Sequence, residues 1–217
     1  MNKCAIIVSG GRIDSQFALG VLESKSWAYI IGADRGLSFL HHNQIMPTHI
    51  VGDFDSEARE VVDYYRDNTS VMIQEFNPVK DATDTEIALR LAIELGVTDV
   101  CILGATGTRM DHVLGNIQIL KIAHDAGVKA YIVDEYNKIS LIEKDLRLKK
   151  EEAFGDYFSL FPLGGEVENL TIEGAFYPLI NHTLLPYDSL CVSNQFKEDE
   201  VRISFSEGLI ILIESRD

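Results

Sequence analysis

The sequence predicts a mainly parallel α/β domain with helices on both faces, followed by an all-β domain. Three observations carry this expectation. Short β-branched runs alternate with helix-patterned segments through the first two-thirds of the chain. Past about residue 136 the helical patterns give way to short strands punctuated by turn residues. The 217 residues are 46% hydrophobic and 24% charged, which supports buried cores and argues against disorder. The expected boundaries are residues 1–135 for the α/β part and 136–217 for a β-sandwich or flattened barrel.

In order, strands are expected at residues 5–9, 29–32, 49–52, 71–75, 100–104 and 130–133, each a short apolar, β-branched run. Helices lie between them. One covers 85–95, where Ile87, Leu91 and Leu95 recur at spacing four beside Ala88 and Ala92. Another covers 111–126, with Val113, Ile117, Leu120 and Ala123 on one side. Gly96 and Gly127 stand where glycines end helices. In parallel sheets of this kind ligands bind beyond the carboxyl ends of the strands. Gly10-Gly11, Asp34, residues 52–56 and residues 104–107 all fall at such ends.

In the second part, strands are expected at 139–142, 157–161, 167–172, 190–193, 201–205 and 209–213. Gly164-Gly165, Asn181 and Glu207-Gly208 read as the turns between them.

Composition narrows the partners. Acidic residues outnumber basic ones 34 to 19, a net charge of −15 with no sustained basic run. That field opposes nucleic acid, whose binding rests on Lys and Arg neutralising phosphates, and favours a cationic small molecule. No apolar run approaches the length of a membrane span, and Met1-Asn2-Lys3 leads directly into a strand pattern without a secretory signal. Cys4, Cys101 and Cys191 lack metal-type spacing, and Cys4 and Cys101 sit in apolar runs as expected of reduced buried thiols. The expectation is a soluble cytoplasmic protein without nucleic-acid or membrane partners.

Two acidic motifs carry the chemistry. Gly52-Asp53-Phe54-Asp55-Ser56 and Lys80-Asp81-Ala82-Thr83-Asp84 each stand where an apolar stretch meets a helical one. Crowded carboxylates raise the energy of a fold unless a cation sits among them. Mg²⁺ suits them, since it takes a few carboxylate oxygens, keeps its waters and grips substrate phosphates. In an extended segment Asp53 and Asp55 point the same way and can face one metal. Turn and capping chemistry is the alternative for these residues, with Asp84 or Thr83 as N-cap of the following helix.

Gly104-Ala105-Thr106-Gly107-Thr108-Arg109-Met110-Asp111-His112 follows the fifth strand and opens a helix. Small residues there let backbone N–H groups approach phosphate, and Arg109 adds a planar cation for phosphate oxygens. No Gly-Lys-Ser/Thr follows, so this is not a P-loop. In the β part, Gly174-Ala175-Phe176-Tyr177-Pro178-Leu179 is either a stacking platform or core, the aromatic residues of β domains being core as a rule.

Taken in this order, the motifs resemble the thiamine pyrophosphokinase family, which makes thiamine diphosphate from thiamine and ATP. The resemblance covers the Gly-Gly loop, Ala33-Asp34-Arg35-Gly36, the segment from Pro47 to Ser56, and both acidic motifs. It continues through residues 106–116, 174–179 and Ser193-Asn194. It implies Mg²⁺ held by Asp53, Asp55 and Asp84, with Asp81 and Thr83 near metal and phosphates. It places Asp34, Thr106, Arg109, Asp111 and His112 on the nucleotide side, and Tyr177, Ser193 and Asn194 on the thiamine side. It further implies a homodimer with active sites shared between subunits. Two departures stand out: Tyr177 where some members carry Trp, and Thr108 in place of a commoner Gly. The implied reaction is attack of the thiamine hydroxyl on the β-phosphorus of ATP with AMP leaving, and catalysis by Asp53, Asp55, Asp81, Asp84 and Arg109. Two rivals remain at this level. One is a haloacid-dehalogenase-type phosphatase with Asp53 as nucleophile; the other is a non-catalytic nucleotide or thiamine sensor.

Overall fold

The structure, a computed structural model, describes residues 3–52, 59–75 and 82–217. The chain separates into two compact units, Met1–Glu135 and Tyr136–Asp217.

The first unit contains β1 (Cys4–Val8), β2 (Tyr29–Ala33), β3 (His49–Gly52), β4 (Met72–Glu75), β5 (Asp99–Leu103) and β6 (Lys129–Val133). They form a parallel sheet in the order β6-β5-β1-β2-β3-β4. Connecting the strands are α1 (Ser15–Glu23), α2 (Gly36–His42), α3 (Arg59–Asn68), α4 (Asp84–Glu94) and α5 (Met110–Asp125). Parallel pairing needs crossover connections, which is why strand and helix patterns alternate in the sequence. Ala5, Ile6, Ile7 and Val8 are all fully buried, as expected of a strand covered on both faces. Leu37 of α2, Ile50 of β3, and Val62 and Tyr65 of α3 form one packed cluster. β1 lies between β5 and β2, so the connections diverge there, and a crevice opens at the carboxyl ends of β1, β2 and β5.

The expected strands of this unit all form, with β4 beginning at Met72. Helices α1, α2 and α3 are less legible. Gly20 interrupts α1, α2 is only seven residues long, and α3 is dominated by polar residues. Asp14 nonetheless caps α1 by accepting a hydrogen bond from Phe17 N at 2.8 Å. Within the sheet, burial pushes the Cys101 thiol up to about 12, opposed in part by a hydrogen bond with Tyr131.

The second unit contains β7 (Asn137–Ile142), β8 (Leu146–Lys149), β9 (Tyr157–Pro162), β10 (Val167–Glu173), β11 (Leu179–Leu184), β12 (Asn194–Gln195), β13 (Glu200–Ser204) and β14 (Ile210–Ser215). Two antiparallel sheets result, β12-β9-β14-β7 and β11-β10-β13-β8. Phe158, Leu160, Ile210 and Leu212 of the first pack with Leu170, Ile172, Val201 and Ile203 of the second, the core of a sandwich. Glu214 lies on the buried side of β14 and is compensated there. It accepts a hydrogen bond from Phe154 N at 3.0 Å and pairs with Lys138 at 3.2 Å.

Two expectations fail in this unit. Residues 190–193 are turn, not strand; Val192 N donates to Ser189 O at 3.2 Å, and Ser193 has φ 56°. Their apolar side chains mimic a strand because Cys191 fills the core from that turn. Asn181 does not end a strand but sits inside β11 at φ 48°, where the β10–β11 register shifts. Strands β8, β11 and β12 were unforeseen; β8 is a four-residue element in which Leu148 is buried and Arg147 exposed. All three cysteines are free, with Cys101 and Cys191 buried and Cys4 half-buried.

Candidate active site

The crevice of the first unit is built by three loops. After β1, the main chain of Gly10-Gly11 is laced to the loop after β5. Ser9 N donates to Leu103 O at 2.8 Å, Gly11 N to Gly104 O at 2.8 Å and Arg12 N to Thr106 O at 2.9 Å. A Cβ at Gly11 would stand 2.3 Å from Thr106 O and 2.5 Å from Gly104 O, so the two loops approach only because no side chain is there. Gly104 itself takes φ 65°. After β2, Asp34 holds φ 50°, a left-handed conformation of the kind that concentrates at functional sites.

Helix starts complete the walls. Thr83 is the N-cap of α4, its hydroxyl accepting from Glu86 N at 3.2 Å, and Asp84 is the first helical residue. Ser9 Oγ and Thr85 Oγ1 share a buried hydrogen bond of 2.9 Å, fastening α4 to the end of β1. Asn116 of α5, also buried, donates to Ala105 O at 2.8 Å and fixes the loop after β5. That residue was not singled out from sequence, because an Asn within a helix has no distinguishing spacing.

These elements enclose a cavity of about 530 Å³. Among the predicted residues, Asp34, Thr83, Asp84, Thr106, Arg109 and His112 line it. Asp111 is not in its lining; it grips Arg109 instead, accepting from Nε at 3.2 Å and from Nη2 at 2.6 Å. The Arg109 hydrogen bond holds the Asp111 carboxyl at about 2. Both side chains are largely exposed, so this solvated pair adds little to stability and its guanidinium stays open to exchange. Arg12 and Arg35 also line the cavity, although neither was picked out as a site residue from sequence. The only signal for Arg12 is its place directly after the Gly-Gly turn.

Asp53, Asp55 and Asp81 lie outside the described residues. Among the described residues no three metal-ligating side chains cluster. The lining does offer carboxylate and hydroxyl oxygens from Asp34, Asp84, Ser9, Thr83 and Thr85, without Cys. Such hard oxygen donors fit Mg²⁺ better than a softer metal.

In the second unit the predicted residues meet at one place. Tyr177 is 66% exposed and Phe176 56% exposed, so neither is core. Asn194, by contrast, is buried. Its Oδ1 accepts from Tyr177 N at 3.0 Å and from Gln195 N at 3.0 Å, while its Nδ2 donates to Tyr177 O at 2.8 Å. Ser193 N donates to Ser159 Oγ at 3.0 Å. Asn194 therefore holds the main chain that presents the Tyr177 ring.

The class defined here is a two-unit protein: an α/β unit with a backbone-lined, arginine-rimmed cavity and a β-sandwich unit presenting an exposed aromatic ring. Comparison with known proteins gives the family. The model of the thiamin pyrophosphokinase catalytic domain matches residues 22–132, and that of the thiamin pyrophosphokinase vitamin B1 binding domain matches residues 143–210. Thiamine pyrophosphokinase of Bacillus subtilis (strain 168) is 32% identical over 192 residues, 86% of this chain and 87% of that protein. The crystal structure of the thiamine pyrophosphokinase from Bacillus subtilis superposes with a TM-score of 0.85 at 30% identity, covering 99% of this chain and 100% of that one. The thiamin pyrophosphokinase of Geobacillus thermodenitrificans gives a TM-score of 0.82 at 30% identity, covering 99% and 98%. The chain belongs to the thiamine pyrophosphokinase family.

Proposed function

We propose that the protein transfers a pyrophosphoryl group from ATP to the hydroxyl of thiamine, releasing thiamine diphosphate and AMP. The observation that carries this is one cavity that gathers Asp34, Asp84 and Arg109 around the glycine loops, in a chain of this family. The family match gives no support to the phosphatase or sensor readings.

The nucleotide phosphates lie against the main chain of residues 10–11 and 104–107, where absent side chains permit close approach. Arg109 exchanges Asp111 for phosphate oxygens and stabilises the charge that spreads over the transferring group. The hydroxyl oxygen of thiamine bonds to the β-phosphorus as the bond from that phosphorus to the oxygen bridging the α- and β-phosphates breaks. That electron pair leaves with AMP, and the hydroxyl proton passes to a carboxylate, for which Asp53 and Asp81 are the candidates. Mg²⁺, held by Asp84 with Asp53 and Asp55, supplies charge neutralisation at the phosphates when bound. In the β unit, the exposed Tyr177 ring stacks on thiamine, whose thiazolium is a permanent cation. The same reading, carried by the family resemblance, makes the enzyme a cytoplasmic homodimer with shared sites.

Incubation with ATP, Mg²⁺ and thiamine tests the reading. Stoichiometric AMP and thiamine diphosphate are expected; inorganic phosphate alone, or no product, overturns it.

A further inference from the structure

The loop after β1 carries a cation with an unusual partner. Arg12 lines the same cavity as Asp84 and Arg109, its N–H fixed on Thr106 O at 2.9 Å. Its guanidinium is 64% exposed, yet Nη2 lies 2.6 Å from Oε1 of Glu135, a side chain only 16% exposed, just beyond β6. That oxygen is itself closed to solvent. The pair is a close charge-to-charge contact, open to solvent on the Arg12 side.

We propose that Arg12 is a phosphate-binding residue of the cavity, and that Glu135 is a resident anion that holds it until substrate phosphate takes its place. This rests on the reading that the cavity receives ATP. The main chain of Arg12 is already fixed at the phosphate loops, since a Cβ at Gly107 would lie 3.2 Å from Arg12 N. Only the side chain has to move. A guanidinium pairs with two phosphate oxygens as readily as with a carboxylate, and a polyphosphate brings more negative charge. When Arg12 leaves, a mostly buried carboxylate loses a cation, which opposes nucleotide binding. Glu135 therefore lowers ATP affinity, and does so only through Arg12. As the residue that acts indirectly, Glu135 is a positioning residue.

The test is ATP affinity by calorimetry, together with KM and kcat, for the parent protein, R12A, R12K, E135Q and the double variant R12A/E135Q. Arg12→Ala should weaken ATP about tenfold, the scale of one charge-assisted hydrogen bond, with KM for thiamine changed less than about twofold. R12K should fall between, which separates a lost contact from a lost fold. Glu135→Gln should tighten ATP binding about threefold, the scale of a partly exposed ion pair. The double variant should match R12A, because without Arg12 the Glu135 carboxylate no longer competes with phosphate for that guanidinium. Unchanged or weaker binding in E135Q overturns the proposal, as does unchanged binding in R12A. A double variant that binds ATP more tightly than R12A overturns it too, since Glu135 would then act on the nucleotide directly. A parent that binds ATP without forming product overturns the activity alone, and the binding series still decides. A parent that binds no ATP overturns both.

Discussion

Asn194 grips Tyr177 by its main chain on both sides, accepting from its N–H at 3.0 Å and donating to its carbonyl at 2.8 Å. Three of the four hydrogen-bonding positions of this buried amide are taken by main chain, so under the proposed function it acts on thiamine through the exposed ring. Asn194→Ala leaves the Tyr177 backbone groups without their partner and should cost about 1–3 kcal/mol of stability. It should raise KM for thiamine about tenfold and leave KM for ATP within about twofold, matching Tyr177→Ala, whereas Tyr177→Phe is mild. Steady-state kinetics with each substrate varied in turn check this; equal rises in both KM values would mean general loosening of the fold.

Thr83 and Asp84 divide two roles that the sequence left open. Thr83 makes the cap hydrogen bond at the start of α4, and Asp84 lines the cavity. Asp84→Asn should abolish turnover and the stabilisation given by Mg²⁺ with ATP, while the metal-free protein melts at the same temperature or higher. Thr83→Ala should lower stability by about 1 kcal/mol. Thermal unfolding with and without Mg²⁺ and ATP decides between them. Marked destabilisation of metal-free Asp84→Asn would move the structural role to Asp84.

For Arg109 the relevant property is shape. Its fork already holds both oxygens of Asp111, the geometry it would offer to phosphate. Lys keeps the charge and loses the fork, so Arg109→Lys should lower kcat about 10²-fold with little change in KM for thiamine. Near-parental turnover would remove Arg109 from catalysis.

The buried thiol of Cys101 makes an alkaline prediction. Its ordinary value near 9.0 rises to about 12 in the fold through burial. A raised value means the folded state keeps a proton that the unfolded chain gives up. The associated stability is fully present below pH 9.0 and is lost as pH climbs towards about 12. Urea midpoints should therefore fall between pH 8 and pH 10.5, and fall less in Cys101→Ala. Identical slopes for the two proteins would locate the alkaline sensitivity elsewhere.

If each active site takes its α/β unit from one subunit and its β unit from the other, defects in the two units complement. Asp84→Asn and Tyr177→Ala refolded together give half mixed dimers, each with one site free of both changes. Assayed with thiamine well below its parental KM, where Tyr177→Ala is also weak, about a quarter of parental activity should return. Mixed dimers shown by mass, with activity at the average of the two variants, would exclude sharing.

What was legible in the sequence follows from how far each signal reaches. Gly11, Asp34, Asp84, Thr106 and Arg109 were legible because strand ends and short-range turn chemistry locate them. The β-rich half misled where local pattern and backbone disagree. Leu190, Cys191 and Val192 resemble a strand, yet Ser193 at φ 56° belongs to a turn. The hold of Asn194 on Tyr177 spans 17 residues, and the pairing of Arg12 with Glu135 joins the ends of β1 and β6. Neither leaves a mark in periodicity or spacing.

The central place of β1 has a consequence for how the chain is made. It leaves the ribosome before the other five strands of its sheet, but Cys4 lies opposite Asp99, and Thr98 bonds to Lys3 across a separation of 95 residues. At ordinary translation speeds that is a wait of about 5 to 20 s, during which β1 can pair with β2 while its other edge stays bare. Such an edge invites pairing with another nascent chain. Yield of native protein should therefore depend on chaperone supply during synthesis of residues 35–103, and slow codons in that interval should lower it before any effect on the finished fold is visible.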